Sequence, residues 1–222
     1  MRGIFVTFDG PDGAGKTTQL QKLAERLVAD GLDVVVTREP GGTAIGEQLR
    51  AVLLNPENRS MTGRTEVLLY AAARAQHVEE KIMPALRRGA VVLCDRFIDS
   101  SIAYQAYGHG LDRSFVTLVN RFATGGLEPD RTYMLDLPVE SGRLRLLKRQ
   151  QQAAAMDRME QRDDEYHRRV RDGFLAIAAE QPGRVMVLAA ERPEEEIAAE
   201  IYADFKKLVK TASPNIRYNE EG

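Results

Sequence analysis

The sequence predicts an α/β fold: a five-stranded parallel sheet with helices on both faces. Three observations point there. Five short apolar runs recur along the 222 residues. They lack polar–apolar alternation, as expected of strands buried on both sides. Between them lie longer segments with helical periodicity, and this alternation argues for a sheet held between two helical layers, a three-layer sandwich.

The first run, 4–8, leads into a glycine-rich segment, and a helix is expected over 16–30. The second, 34–37, ends at Arg38, with helices expected near 43–53 and 64–88. The third, 90–94, ends at Asp95, and helical patterns follow near 99–107 and 112–123. The fourth, 132–137, precedes helices near 139–150 and 163–180. The fifth, 185–188, precedes the last, near 193–209. No repeat and no break in composition marks a second domain, so 1–210 reads as one domain, long enough for a real core. Two segments read as mobile: the Gln/Ala-rich stretch 150–156 and the polar tail 211–222, expected to be disordered. Gln and Ala are also good helix formers, so the first of these could be a helical lid.

Composition excludes several classes. A net charge of −2 provides no global field toward nucleic acid or a membrane surface. No basic–apolar leader opens the chain and no apolar stretch approaches membrane-spanning length, so a soluble, cytoplasmic protein is expected. The single cysteine, Cys94, cannot form an internal disulfide and reads as a small buried apolar residue. Only seven of the 31 basic residues are lysine. Arginine's planar fork suits phosphate oxygens, although a GC-rich genome would produce the same bias.

Residues Gly10-Pro11-Asp12-Gly13-Ala14-Gly15-Lys16-Thr17 match G-x-x-x-x-G-K-[ST], the phosphate-binding loop, in its strand–loop–helix context. Glycines let backbone N–H groups close around an anion, and the helix that follows points its positive end at it. Lys16 can reach the β- and γ-phosphates, and the Thr17 hydroxyl can hold Mg²⁺. Asp95, closing an apolar strand, is placed to organise the same Mg²⁺. Arg38 and Arg96 follow two strand ends, where ligands of open parallel sheets bind. They suggest a second phosphate position; the alternative is a pair of surface salt bridges. Asp12, inside the loop, needs a metal ion or a sugar hydroxyl to be tolerated beside a triphosphate, unless it is only a turn residue. Tyr70 and Arg74 are four apart on one helix face, able to stack on a base and bond its edge, or simply to pair with each other. His77, His109 and His167 lack metal-ligand spacing and read as packing or surface residues.

These motifs resemble, in order, those of the thymidylate kinase family, over about residues 3–209. The resemblance is carried by Phe8-Asp9-Gly10 through Thr18, Arg38-Glu39-Pro40-Gly41-Gly42-Thr43, Ala72-Ala73-Arg74-Ala75-Gln76-His77, Asp95-Arg96-Phe97 with Ser100-Ser101 and Tyr104-Gln105, and Asp157-Arg158-Met159-Glu160. It implies a P-loop NTPase fold with a lid at about 149–163, ATP and dTMP as partners, Mg²⁺ as cofactor, no nucleic-acid or membrane partner, and a homodimer. It implies that Gly10, Asp12, Gly13, Ala14, Gly15, Lys16, Thr17, Thr18 and Arg149 bind ATP, and that Lys16, Arg96, Arg158 and Asp12 are catalytic, with Thr17 and Asp95 on the metal. Arg38 and Arg96 would hold the dTMP phosphate. Tyr70, where the family usually has Phe, would stack on thymine, and Arg74 would bond its carbonyl edge. Ser101 and Gln105 would line the base pocket, Tyr104 would exclude a 2′-hydroxyl, and Asp12 would meet the 3′-hydroxyl. It also implies a cis Glu39–Pro40 bond. Some members carry an arginine in the loop where this chain has Gly13. Without it, Arg149, Arg158 and Arg162 remain as lid donors. The alternatives are a kinase of another nucleoside monophosphate and, in a different class, a nucleotide-binding regulator, against which the absence of Asn-Lys-x-Asp speaks.

Overall fold

The computed structural model describes residues 2–151 and 156–212, apart from the side chains of 149, 150, 211 and 212. Five strands form one parallel sheet: β1 (Phe5–Asp9), β2 (Val34–Arg38), β3 (Val91–Asp95), β4 (Arg131–Asp136) and β5 (Val185–Ala189), in the order β2-β3-β1-β4-β5. The register sets Arg38 opposite Asp95, and Asp95 opposite Phe8. Three strand ends carrying Arg38, Asp95 and Asp9 therefore lie side by side. The chain runs to one side of β1 first and to the other afterwards, so a crevice opens at these carboxyl ends, where such sheets bind ligands.

Alternate residues of β1 face opposite layers. Val6 and Phe8 pack with Leu20, Leu23 and Leu27 of α1 (Lys16–Ala29) and Ile197, Ile201 and Phe205 of α9 (Glu194–Ala212). Phe5 packs on the other side with Val78, Ile82, Leu86 and Phe97. That second layer holds α3 (Gly63–His77), α4 (Met83–Arg87), α5 (Ile98–Ser101), α6 (Arg113–Thr124) and α8 (Asp164–Glu180). Two more helices complete the set among the described residues, α2 (Ala44–Leu54) and α7 (Val139–Gln151). The five strands and the two-sided cover agree with the sequence expectation.

The long helix expected near 64–88 is interrupted. Residues Val78–Ile82 form a π-turn between α3 and α4. Pro84 lacks the N–H that would continue the α-ladder, which favours a wider turn just before it. A second π-segment, Ile102–Gly108, follows α5 and carries Tyr104 and Gln105. The last helix runs to Ala212, two residues into the expected tail. The rest of that tail, and the centre of the Gln/Ala stretch at 152–155, lie outside the described residues.

Candidate active site

A cleft of about 810 Å³ opens over the carboxyl ends of β1, β2 and β3. On one side is the glycine-rich loop. Gly10 has φ +131°, and a Cβ there would stand 2.3 Å from the Leu135 carbonyl oxygen, so only glycine fits. Gly15, at φ 89°, leaves the start of α1 without a side-chain cap, and the first-turn N–H groups remain for an anion. Lys16 is buried, and its Nζ donates to the Pro11 carbonyl at 2.7 Å. Burial and the nearby Arg96 push its ammonium down to about 8, still protonated at neutral pH. The Thr17 hydroxyl donates to the Asp95 carboxylate, and both line the cleft. Thr18, Gly13 and Gly15 line it as well, whereas Gly10 and Ala14 support the loop from beneath.

Arg96 ties the loop to the opposite wall. It alone among the described non-glycine residues has a left-handed backbone, φ 69°. Such a conformation costs on the order of 1–3 kcal/mol and persists where its surroundings over-determine it. Here the Arg96 N–H donates to Phe8 O at 2.9 Å and the Cys94 thiol donates to its carbonyl. The guanidinium then bonds Gly10 O (3.0 Å), Ser100 Oγ (3.1 Å), the Tyr104 hydroxyl (3.2 Å) and the Asp12 carboxylate. Tyr104 also donates to Asp12 Oδ2 at 2.8 Å. Burial would raise the Asp12 pKa, but Arg96, Lys16 and Tyr104 hold it well below the usual carboxylate range. Ser100, in turn, donates to Asp9, whose pKa burial and Asp99 raise to about 6.

Arg38 lines the cleft from the end of β2, half exposed, with Nη2 on Glu47 Oε2 at 2.8 Å. Arg38 thus forms a salt bridge, one of its two sequence readings, while also lining the cleft. Tyr70 and Arg74 line the cleft from one face of α3. Arg74 is the most constrained of the set. Its Nε meets Glu39 Oε2 at 2.6 Å, Nη1 reaches Ser101 Oγ (2.8 Å) and Asn120 Oδ1, and Nη2 reaches Phe97 O (3.1 Å). Glu39 is buried between Arg74 and His77 and stays ionised against its burial because Arg74 and His77 face it. The Glu39–Pro40 bond is cis. His77 is a packing residue, as expected, bonded to Thr37 Oγ1 at 2.7 Å. Ser101 and Gln105 close this end of the cleft.

One expected site residue stands apart. Arg158 does not line the cleft. It is buried, with Nη2 on Glu66 Oε2 (2.7 Å) and Nε on Leu53 O (2.8 Å), and its backbone N–H donates to Leu54 O. Buried and held by these bonds, its guanidinium has no path to a phosphate in this conformation, contrary to the catalytic expectation. Arg162 stacks on Tyr166 and borders a smaller neighbouring cavity of about 330 Å³. The side chain of Arg149 lies outside the described residues.

Sequence reasoning missed Arg145, Arg50 and Lys81, which also line the cleft. Arg145 donates to Gly13 O (3.2 Å) and Ala190 O (3.0 Å), and Arg50 to Pro40 O (2.9 Å). None of the three falls in a motif that marks it in the sequence. Glu66 and Asn120 were missed too, because only the fold brings them to Arg158 and Arg74.

Comparison with known proteins agrees with this geometry. The thymidylate kinase family profile matches residues 8–201. A thymidylate kinase of Exiguobacterium sibiricum is 51% identical over 210 residues, covering 95% of this chain and 97% of that one. One of Geotalea uraniireducens is 49% identical over 203 residues, covering 90% and 95%. The crystal structure of thymidylate kinase from Ehrlichia chaffeensis superimposes with a TM-score of 0.74 at 34% identity, over 92% of this chain and 99% of that one. The chain belongs to the thymidylate kinase family.

Proposed function

We propose that this member of the thymidylate kinase family transfers the γ-phosphoryl group of ATP to dTMP, giving ADP and dTDP. One observation carries the reading. A single cleft holds the Lys16 loop on one side and the Arg38–Arg96 pair on the other, so it offers two phosphate positions rather than one. The acceptor phosphate needs little activation, since its second pKa is about 6 and it is largely dianionic at neutral pH. Catalysis then rests on positioning and charge neutralisation by Lys16 and Arg96, with Asp12 holding Arg96 in place.

The donor set fits Mg²⁺. Thr17 and Asp95 present oxygen ligands side by side, and no group of three or more acidic, His or Cys ligands surrounds them among the described residues. Such a site suits an ion that keeps water and phosphate oxygens as its main ligands. When bound, Mg²⁺ would neutralise charge developing on the β- and γ-phosphates.

Tyr70 and Arg74 offer a ring face and a donor to the base, with Ser101 and Gln105 closing the pocket. Tyr104, bonded to Asp12 and Arg96, would crowd a 2′-hydroxyl, and Asp12 would meet the 3′-hydroxyl. Homodimerisation is supported by exposed apolar side chains on neighbouring helices α3 and α6: Leu68, Leu118 and Phe122, the last 88% exposed. No helix of the described residues is long and apolar enough to cross a membrane, and a cytoplasmic location accords with the nucleotide substrates.

The test is coupled ADP release with MgATP against dTMP, dUMP, dGMP, dCMP, AMP, UMP and no acceptor. Strong preference for dTMP is expected. Turnover without an acceptor would overturn the reading of Arg38 and Arg96 as a second phosphate site.

A further inference from the structure

Glu66, Tyr70 and Arg74 stand at i, i+4 and i+8 along one face of α3. The last two line the cleft, whereas Glu66 is wholly buried. A buried carboxylate requires donors. Three are present: Gln105 Nε2 (2.9 Å) and His109 Nε2 (3.0 Å), from the π-segment and its end, on Oε1, and Arg158 Nη2 (2.7 Å) on Oε2. Burial pushes the Glu66 pKa up, but the bonds from His109 and Gln105 and the charge of Arg158 hold it at about 2. It is therefore an anion and accepts only.

An acceptor-only neighbour settles which end of a primary amide faces it, so Gln105 presents its NH₂ to Glu66. The other end, Gln105 Oε1, is buried without a hydrogen-bond partner among the described residues, on a side chain that lines the cleft. Nearby, Arg74 spends four of its five N–H groups on Glu39, Ser101, Asn120 and Phe97. The remaining Arg74 N–H and the Gln105 carbonyl oxygen thus give this end of the cleft a donor beside an acceptor. Thymine and uracil place a carbonyl beside a ring N–H and match that pattern. Cytosine, with an amino group beside a bare ring nitrogen, opposes both.

We propose that Glu66 is a positioning residue for base recognition, fixing the Gln105 amide so that its carbonyl oxygen is the group offered to the base. The inference rests on the proposed dTMP kinase activity. In Glu66→Gln the new amide can itself donate, so Gln105 is free to turn over.

The experiment compares kcat/KM for dTMP and dCMP, with MgATP, in the wild type, Glu66→Gln and Arg158→Met. The wild type is expected to favour dTMP strongly. In Glu66→Gln the dTMP:dCMP ratio should fall at least about tenfold, because a site built to match hydrogen bonds discriminates through unpaired polar groups. Arg158→Met breaks a different bond to the same carboxylate and should hold the ratio within about threefold. A wild-type ratio in Glu66→Gln would overturn the inference, and so would an equal fall in Arg158→Met, since lost packing would then suffice. A wild type without preference for dTMP would instead overturn the functional reading. Should Glu66→Gln not fold, Glu66→Asp, whose carboxylate withdraws from Gln105 but keeps its charge, takes its place with the same two outcomes.

Discussion

Arg158 divides a structural role from a catalytic one, and Arg158→Met tests the division. The substitution removes the ion pair with Glu66, in which the two side chains are 4% and 0% exposed, and the bond from Nε to Leu53 O. Removing one partner of a buried pair costs about 3–5 kcal/mol. Two features favour the low end. Glu66 keeps Gln105 and His109 as donors, and Arg158 Nη1, itself buried without a partner among the described residues, disappears with the side chain. The expected loss is therefore about 3 kcal/mol. At roughly 2–4 °C per kcal/mol for a domain of this size, Tm should fall by about 6–12 °C. Calorimetry measures that shift, and coupled ADP release at 25 °C measures kcat on the same preparation. Because the guanidinium faces away from the cleft, kcat should fall by less than about tenfold. An unchanged Tm with a loss of about 1,000-fold or more would refute the reasoning, since that is the signature of an arginine acting on the transition state.

Lys16→Ala should lower kcat by at least about 100-fold while leaving Tm nearly unchanged, because among the described residues the ammonium bonds only the Pro11 carbonyl; full activity would remove Lys16 from the mechanism. Tyr104→Ala deletes the hydroxyl between Asp12 and Arg96 and should raise ribonucleotide use relative to dTMP, and an unchanged ratio would end its sugar-sensing role. Glu66 has a folded pKa of about 2 against an ordinary value of 4.5. Its contribution, about 3 kcal/mol, is fully present above pH 4.5 and lost as pH falls toward 2. Urea midpoints between pH 3 and 6 should therefore drop less steeply in Glu66→Gln; parallel curves would contradict the assignment. Phe122→Glu should convert a dimer to monomers in sedimentation velocity, and a persisting dimer would place the interface elsewhere.

The phosphate loop, the five strands and most helices were legible because each is a local matter. Gly10 and Gly15 are demanded by backbone angles inside one short segment, and strands buried on both faces must be apolar throughout. The arginines at the ends of β2 and β3 were legible for a similar reason, since a strand end in a parallel sheet has a known relation to the ligand. Arg158 was not. Its motif marks it as important, but whether a guanidinium turns to the cleft or to a buried carboxylate depends on Glu66, 92 residues away in sequence. The same holds for Asn120 on Arg74 and for the Glu39–His77 pair beneath it. The amino-acid order by itself determined the fold class, the family and the phosphate-loop motif. Tertiary structure alone decided which charges face the cleft and which pair with one another, because a buried charge takes the donor or acceptor that the fold brings within hydrogen-bond distance.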